Sequence, residues 1–233
     1  MCLPEDFDWK FYLEYYPDLQ NSGLKNELDA VWHYTNFGFK ENRIYVNKPI
    51  LYEDLTFIHI PKCGGTSISN FLKSLNLKRK IVAENYNITT HSPNHLTYQE
   101  LEELNLLSDN IFTIIRSNID RTISEYFYIQ KYRQDLSSLF NNFDEFLNLF
   151  LDKNNTSLFD FHNLSNKEFL IDKSGKVNTD IKIFNYFDIY SIERYLGITG
   201  LNQFHKLKTE KNDFQLSGIQ LNKIKTFFGD DLI

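Results

Sequence analysis

The sequence predicts an α/β protein, with a central parallel sheet covered by helices and a small helical module in front of it. Three observations lead there. Short apolar runs suited to buried strands alternate with helically spaced segments after residue 55. The first run, residues 55–60, breaks at Pro61 into a glycine-containing turn that opens a helix. Residues 7–43 show helical spacing alone. The predicted division is a module and linker over 1–50 and an α/β domain over 51–233.

In the module, Phe7, Phe11, Tyr12, Tyr15 and Leu19 fall near helical spacing, Pro17 marks a turn at 16–18, and Gly23 is a stop. A second helix is expected over 27–36, with Gly38 as its cap, and 44–54 read as linker. Residues 55–60 are a buried strand, 66–75 a helix and 80–83 a second strand. Thr97 and Glu100 make a capping box that starts a helix running to about residue 107. Residues 111–115 are a third strand. Residues 119–133 are a helix with Ile119, Ile123, Tyr126 and Phe127 on one face, and 143–151 are another. The Asn- and Ser-rich stretch 152–167 reads as loop, and 169–176 as a strand and turn. Helices follow at 189–196, stopping at Gly197, and at 216–228.

Composition narrows the function. Hydrophobic residues are 42% and charged residues 24%, a globular balance that excludes a disordered chain. The net charge of −6 argues against an unspecific nucleic-acid binder and disfavours a long polyanionic sugar. Cys2 and Cys63 give no disulfide framework. No apolar run nears the roughly 20 residues of a membrane span, and the start resembles no secretory leader, so the expected location is cytoplasmic.

The stretch 57–72 carries the chemistry. Gly64 and Gly65 allow close backbone approach, and the amides of residues 64–67 face outward at a helix start, where an anion is favoured. Lys62 adds a full charge, and Thr66 and Ser67 add hydroxyls. This is not a Walker A loop, because Lys62 precedes both glycines. The competing reading is a tight turn with a solvated Lys62 and Thr66 or Ser67 as a plain N-cap.

The string His59-Ile60-Pro61-Lys62-Cys63-Gly64-Gly65-Thr66-Ser67 resembles the 5′-phosphosulfate loop of the sulfotransferases that include heparan sulfate 2-O- and 6-O-sulfotransferases. The resemblance covers about residues 55–231 and implies a three-layer, P-loop-like domain using 3′-phosphoadenosine 5′-phosphosulfate (PAPS) as donor, with no metal. It assigns donor binding to Lys62, Cys63, Gly64, Gly65, Thr66 and Ser67. Arg116 ends a strand, and Ser124 lies eight residues later on a helix, the spacing of the family's 3′-phosphate motif. The family usually has Arg-Asp-Pro or Arg-Asn-Pro there; here it is Arg116-Ser117-Asn118, which loosens the expected turn. Alternatively, Arg116 and Arg121 form surface ion pairs with Asp120 or Glu125.

Sulfuryl transfer needs a base for the hydroxyl and a cation for the leaving oxygen. Lys62 is the cation. His95 to Leu101 resembles the segment carrying the base in the 6-O enzymes, so His95 is the first choice. His91 is the second, from the His-x-His element of the 2-O enzymes. His59 reads as structural, and Glu100 as a helix cap that could orient His95. Lys206 and Lys208, after His205, lie where relatives close over the nucleotide. Residues 7–43 resemble a short repeat found beside glycan-related enzymes; one histidine there, His33, is not a ligand set. The implied function is transfer of a sulfuryl group from PAPS to a carbohydrate hydroxyl. The rivals are a nucleotide kinase or NTPase, and a non-catalytic binding protein on a degraded scaffold.

Overall fold

The computed structural model describes residues 3–4, 7–41, 43, 45–46, 51–75, 77–80, 91–201 and 214–229. They fall into two compact units, one formed by residues up to 49 and the other starting at residue 50.

The first unit has three short helices, α1 (Trp9–Tyr15), α2 (Pro17–Asn21) and α3 (Glu27–His33), then a π-helical turn over Tyr34–Gly38. Asp8 caps α1 through Lys10 and Phe11 amides, and Pro17 opens α2, where its missing N–H costs nothing. Tyr12, Leu19, Ala30, Tyr34 and Tyr45 form its core, with Phe7 against the Tyr12, Tyr34 and Tyr45 rings. Gly38 is not a helix cap. It lies inside the π turn because a Cβ there would come within 2.0 Å of the Tyr12 hydroxyl, so it makes room for that ring. The Tyr12 hydroxyl shares a 2.8 Å hydrogen bond with His33 Nδ1. Arg43 donates both Nη groups to Asp18, at 3.0 and 2.7 Å.

In the second unit β1 (Thr56–Ile58), β2 (Ile111–Ile115) and β3 (Lys182–Asn185) form a parallel sheet in that order. β2 is central, and all five of its residues are buried, as a strand covered on both faces requires. β1 leads into α4 (Gly65–Ser74), β2 into α6 (Asn118–Tyr132), and β3 into α9 (Ile189–Leu196). The class is therefore α/β, with the three strand-to-helix turns at the carboxyl edge of the sheet. Among the described residues no helix is long and apolar enough to cross a membrane.

Several boundaries depart from expectation. α5 (Tyr98–Glu103) keeps its Thr97–Glu100 capping box but ends early, with Asn105 in a left-handed conformation (φ 54°). Residues 78–80 pair antiparallel with 51–53, drawing part of the expected linker into the unit. The remainder of the expected 80–83 strand, and His205, Lys206 and Lys208, lie outside the described residues. β3 was not anticipated. Around 169–177 the chain makes only a single bridge, Ile171 to Val177, not a full strand.

The 152–167 stretch is no mere solvated loop. Phe159 joins the aromatic core between α6, α8 (Phe143–Phe150) and α10 (Gly218–Phe228), with Phe146, Phe150 and Ile224 fully buried in it. Asn163 donates to the Phe150 and Asp152 carbonyls at 3.1 Å each. This anchoring carries Asp160 and His162 into the site.

Candidate active site

The loop after β1 turns sharply. Lys62 takes a left-handed backbone (φ 64°), uncommon for a residue with a side chain, and Gly64 does the same (φ 80°) as the N-cap of α4. That helix starts without a side-chain cap, so Thr66 and Ser67 are its second and third residues and not its N-cap. The glycines are sterically required. A Cβ on Gly64 would meet the Tyr186 ring at 2.7 Å, and one on Gly65 would meet the His59 ring at 1.9 Å. Cys63 is buried. A pocket beside the loop is lined by Cys63, Gly64, Ser67, Ile68, Tyr186 and Leu201, among others.

Lys62 is not solvated. Its Nζ lies 3.7 Å from the centroid of the Tyr128 ring and 3.8 Å from Glu125 Oε2. Burial pushes its pKa below the ordinary lysine value; Glu125 opposes that shift, and the nearby Arg116 charge adds to it. Arg116 follows the carboxyl end of β2, its guanidinium 5.0 Å from the Tyr186 ring centroid and 3.6 Å from Asp120 Oδ1. Its Nε is buried with no hydrogen-bond partner among the described residues. Ser124 is buried on α6.

The expected looseness after Arg116 is absent. Ser117 caps α6 through the Asp120 amide (3.1 Å), and Asn118 accepts from Arg121 Nη1 at 2.9 Å. Arg121 is not a surface ion either. It is 2% exposed and donates to the carbonyls of Pro61 (3.0 Å), Leu164 (3.0 Å) and His162 (3.3 Å) and to Asn166 Oδ1 (3.3 Å). Asn166 in turn donates to the Arg116 carbonyl at 2.8 Å. The loop after β1, the start of α6 and the 162–166 segment are thus riveted together.

Three histidines gather next to this loop. The His95 ring lies 4.6 Å from that of His59 and 5.0 Å from that of His162, centroid to centroid. His95 Nδ1 is 3.1 Å from the His59 carbonyl, which only accepts, so the neutral ring carries its proton on Nδ1 and leaves Nε2 a free lone pair. Burial first, then His162, lowers the His95 pKa to about 4, and burial holds His59 well below the usual value. His162 Nδ1 meets Glu125 Oε2 at 2.8 Å. Burial alone would raise the pKa of Glu125; His162 and Lys62 more than reverse this and bring it to about 2.

His91 has aromatic and acidic partners of its own. It stacks on Phe161 with centroids 3.9 Å apart and faces Glu100 Oε1 at 3.5 Å. Glu100 therefore serves its helix cap and His91, not His95. Glu125, Asp160, His162, Tyr128 and Tyr186 went unread as site residues. Only the His-carboxylate pairing of His162 with Glu125 had a chemical signature, and no local pattern links residues 37 apart.

An open parallel sheet with its ligand-facing turns at the carboxyl edge defines the class: an α/β protein whose site lies beyond the strand ends. Within that class the family is shown directly. The sequence model of the sulfotransferase family matches residues 52–187, more than half the chain, and the chain belongs to that family. The membership implies a transferase. No curated protein and no solved structure matches the chain.

Proposed function

We propose that the protein transfers a sulfuryl group from PAPS to a hydroxyl, with a carbohydrate as the acceptor class. The observation that carries this is the pair of half-buried cations, Lys62 and Arg116, beside the uncapped start of α4. The Arg116 charge disfavours the charged form of Lys62, and a bound anion relieves that. The donor fits the residues present: an orphaned Arg116 Nε and a helix start with no side-chain cap.

When bound, PAPS supplies a sulfuryl group on a phosphate leaving group. The amides and hydroxyls of residues 64–67 hold the 5′-phosphate side, and Arg116 with Ser124 hold the 3′-phosphate. Lys62 balances the charge that grows on the bridging oxygen as its bond to sulfur breaks. His95 accepts the acceptor's hydroxyl proton on Nε2 as that oxygen bonds to sulfur. Burial keeps the ring neutral and able to accept at pH 7, at a cost in basicity, and Nδ1 is tied to a carbonyl, which holds the ring's orientation. His91, stacked on Phe161, is left the lesser part of shaping the pocket wall. The sugar acceptor rests on the resemblance of the 95–101 segment to the 6-O enzymes.

Calorimetry with 3′-phosphoadenosine 5′-phosphate, AMP and ATP side by side tests the reading. The bisphosphate should bind tightest, because only it engages both cations. Equal affinity for the bisphosphate and AMP would sink the Arg116–Ser124 assignment. Tightest binding of ATP would favour the kinase rival, and no nucleotide binding would favour the non-catalytic one.

A further inference from the structure

We propose that His95, Asp160 and His162 form a binding site for a divalent transition ion of the Zn²⁺ type. One ligand atom from each lies within 4.8 Å of the other two. Two imidazoles and a carboxylate with an open fourth position are a donor set that suits zinc.

What favours a site over a chance cluster is the outer ring of contacts. Metal-binding histidines give their second nitrogen to a carbonyl or carboxylate, which holds the ring and aims the first nitrogen. His95 does so here, its Nδ1 facing the His59 carbonyl at 3.1 Å. His162 Nδ1 lies 2.8 Å from Glu125 Oε2, an ion-pair contact without the alignment of a hydrogen bond. Asp160 is held likewise, its Oδ1 accepting the Ser92 amide while Oδ2 turns toward His162 Nε2. The left-handed backbone at Asp160 (φ 51°) and Phe161 (φ 64°) is the local cost of presenting that carboxylate.

The spacing suits an ion. The His95 and His162 rings are perpendicular with centroids 5.0 Å apart. Two imidazoles on one tetrahedral zinc, with Zn–N bonds of about 2.0–2.1 Å, place their centroids about 5 Å apart. Asp160 Oδ2 is 3.9 Å from His162 Nε2. Ligands of such an ion sit roughly 3.4 Å apart, so this pair would close by about half an ångström. Both ring nitrogens of His162 are buried and find no hydrogen bond among the described residues.

The ion takes the lone pair that the proposed reaction needs. Provided His95 is the base, zinc and the acceptor's proton compete for Nε2, and the ion is an inhibitor that leaves donor binding intact.

The test uses the whole chain, stripped with a chelator and free of donor and acceptor. ZnCl₂ is titrated calorimetrically, and CoCl₂ is followed by visible absorption. The expected result is one equivalent bound, with the intense visible bands of four-coordinate cobalt and no thiolate charge-transfer band. Asp160→Asn keeps an oxygen for the Ser92 amide and should weaken binding at least about tenfold. Glu125→Gln, one shell out, should weaken it by about 10–100-fold. No binding, a cobalt spectrum like that in buffer, a thiolate band, or undiminished binding by Asp160→Asn would each overturn the site. If a variant does not fold, the cobalt spectrum of the unmodified protein decides. Should zinc bind as described and leave turnover unchanged, the site stands and His95 loses its role as base.

Discussion

Gly65→Ala tests whether the anion loop and the histidine cluster are one packed object. The new methyl would sit 1.9 Å from His59 Cδ2 and 2.0 Å from Nε2, where ordinary contact begins at 3.4 Å. The ring must therefore retreat by about 1.5 Å, and it has little room to do so. The Phe57 ring stacks along one side with centroids 5.6 Å apart, and the His95 ring stands 4.6 Å away. Overpacking of this kind costs about 1–3 kcal/mol. Urea unfolding should show that loss as a lower midpoint with an unchanged slope. Gly218→Ala is the control, since its methyl would meet nothing within 4 Å, and it should fall within about 0.5 kcal/mol of the parent. The His59 retreat also pushes on the ring assigned as base, and a misplacement near 1 Å can cost about a hundredfold in rate. If Gly65→Ala unfolds with the midpoint of Gly218→Ala and turns over normally, the loop and the cluster are not coupled as argued.

Four more expectations follow from the same geometry. Arg116→Ala should weaken binding of 3′-phosphoadenosine 5′-phosphate by about 1.5–3 kcal/mol, read by calorimetry, and affect AMP far less. Lys62→Ala should abolish transfer while costing less in product binding, because a charge on the bridging oxygen acts mostly in the transition state; near-normal turnover would contradict it. Phe146→Ala should cost about 3–5 kcal/mol in urea unfolding, since the ring is fully buried among Phe140, Phe143, Phe150 and Phe159. Glu168 pairs with Lys153 at 2.6 Å and accepts from the Ser165 amide, contacts that outweigh its partial burial and lower its pKa. A lowered carboxylate contributes stability above its unfolded pKa and loses it as pH falls through the folded one. Glu168→Gln should thus cost about 1 kcal/mol at pH 7, and the gap to the parent should close in acid; a pH-independent gap would contradict this.

What the sequence made legible was whatever is local. The five-residue run of β2, the Thr97–Glu100 capping box and Gly197 ending α9 each announce themselves within a few positions, and the structure has them where they were read. β3 escaped because Lys182 and Ile183 face outward at the sheet edge, so the segment shows neither a buried run nor clean alternation. Gly38 was misread because its purpose is Tyr12, 26 positions away. The loop around Lys62 was legible as a string of unusual residues, yet its partner Glu125 lies 63 positions on, in α6, where the sequence offered it only as a partner for an arginine. Asp160 and His162 lie in a stretch with no periodicity at all. They reach the site because Phe159 and Asn163 anchor that stretch from beneath, a tertiary fact with no local trace.

The Arg121 cage has a kinetic side. Its bonds to Pro61, Leu164, Asn166 and His162 close sequence separations of 60, 43, 45 and 41 residues. Contacts that distant come at a high loop-closure cost and are made after the nearer ones. The guanidinium can be seated only when all three stretches have met, so the expectation is that it settles late in folding. An uncharged replacement such as Arg121→Met should then leave the refolding rate nearly unchanged and quicken unfolding. The end of the molecule that carries the candidate site would be the part that opens soonest, with the aromatic core beneath it still closed.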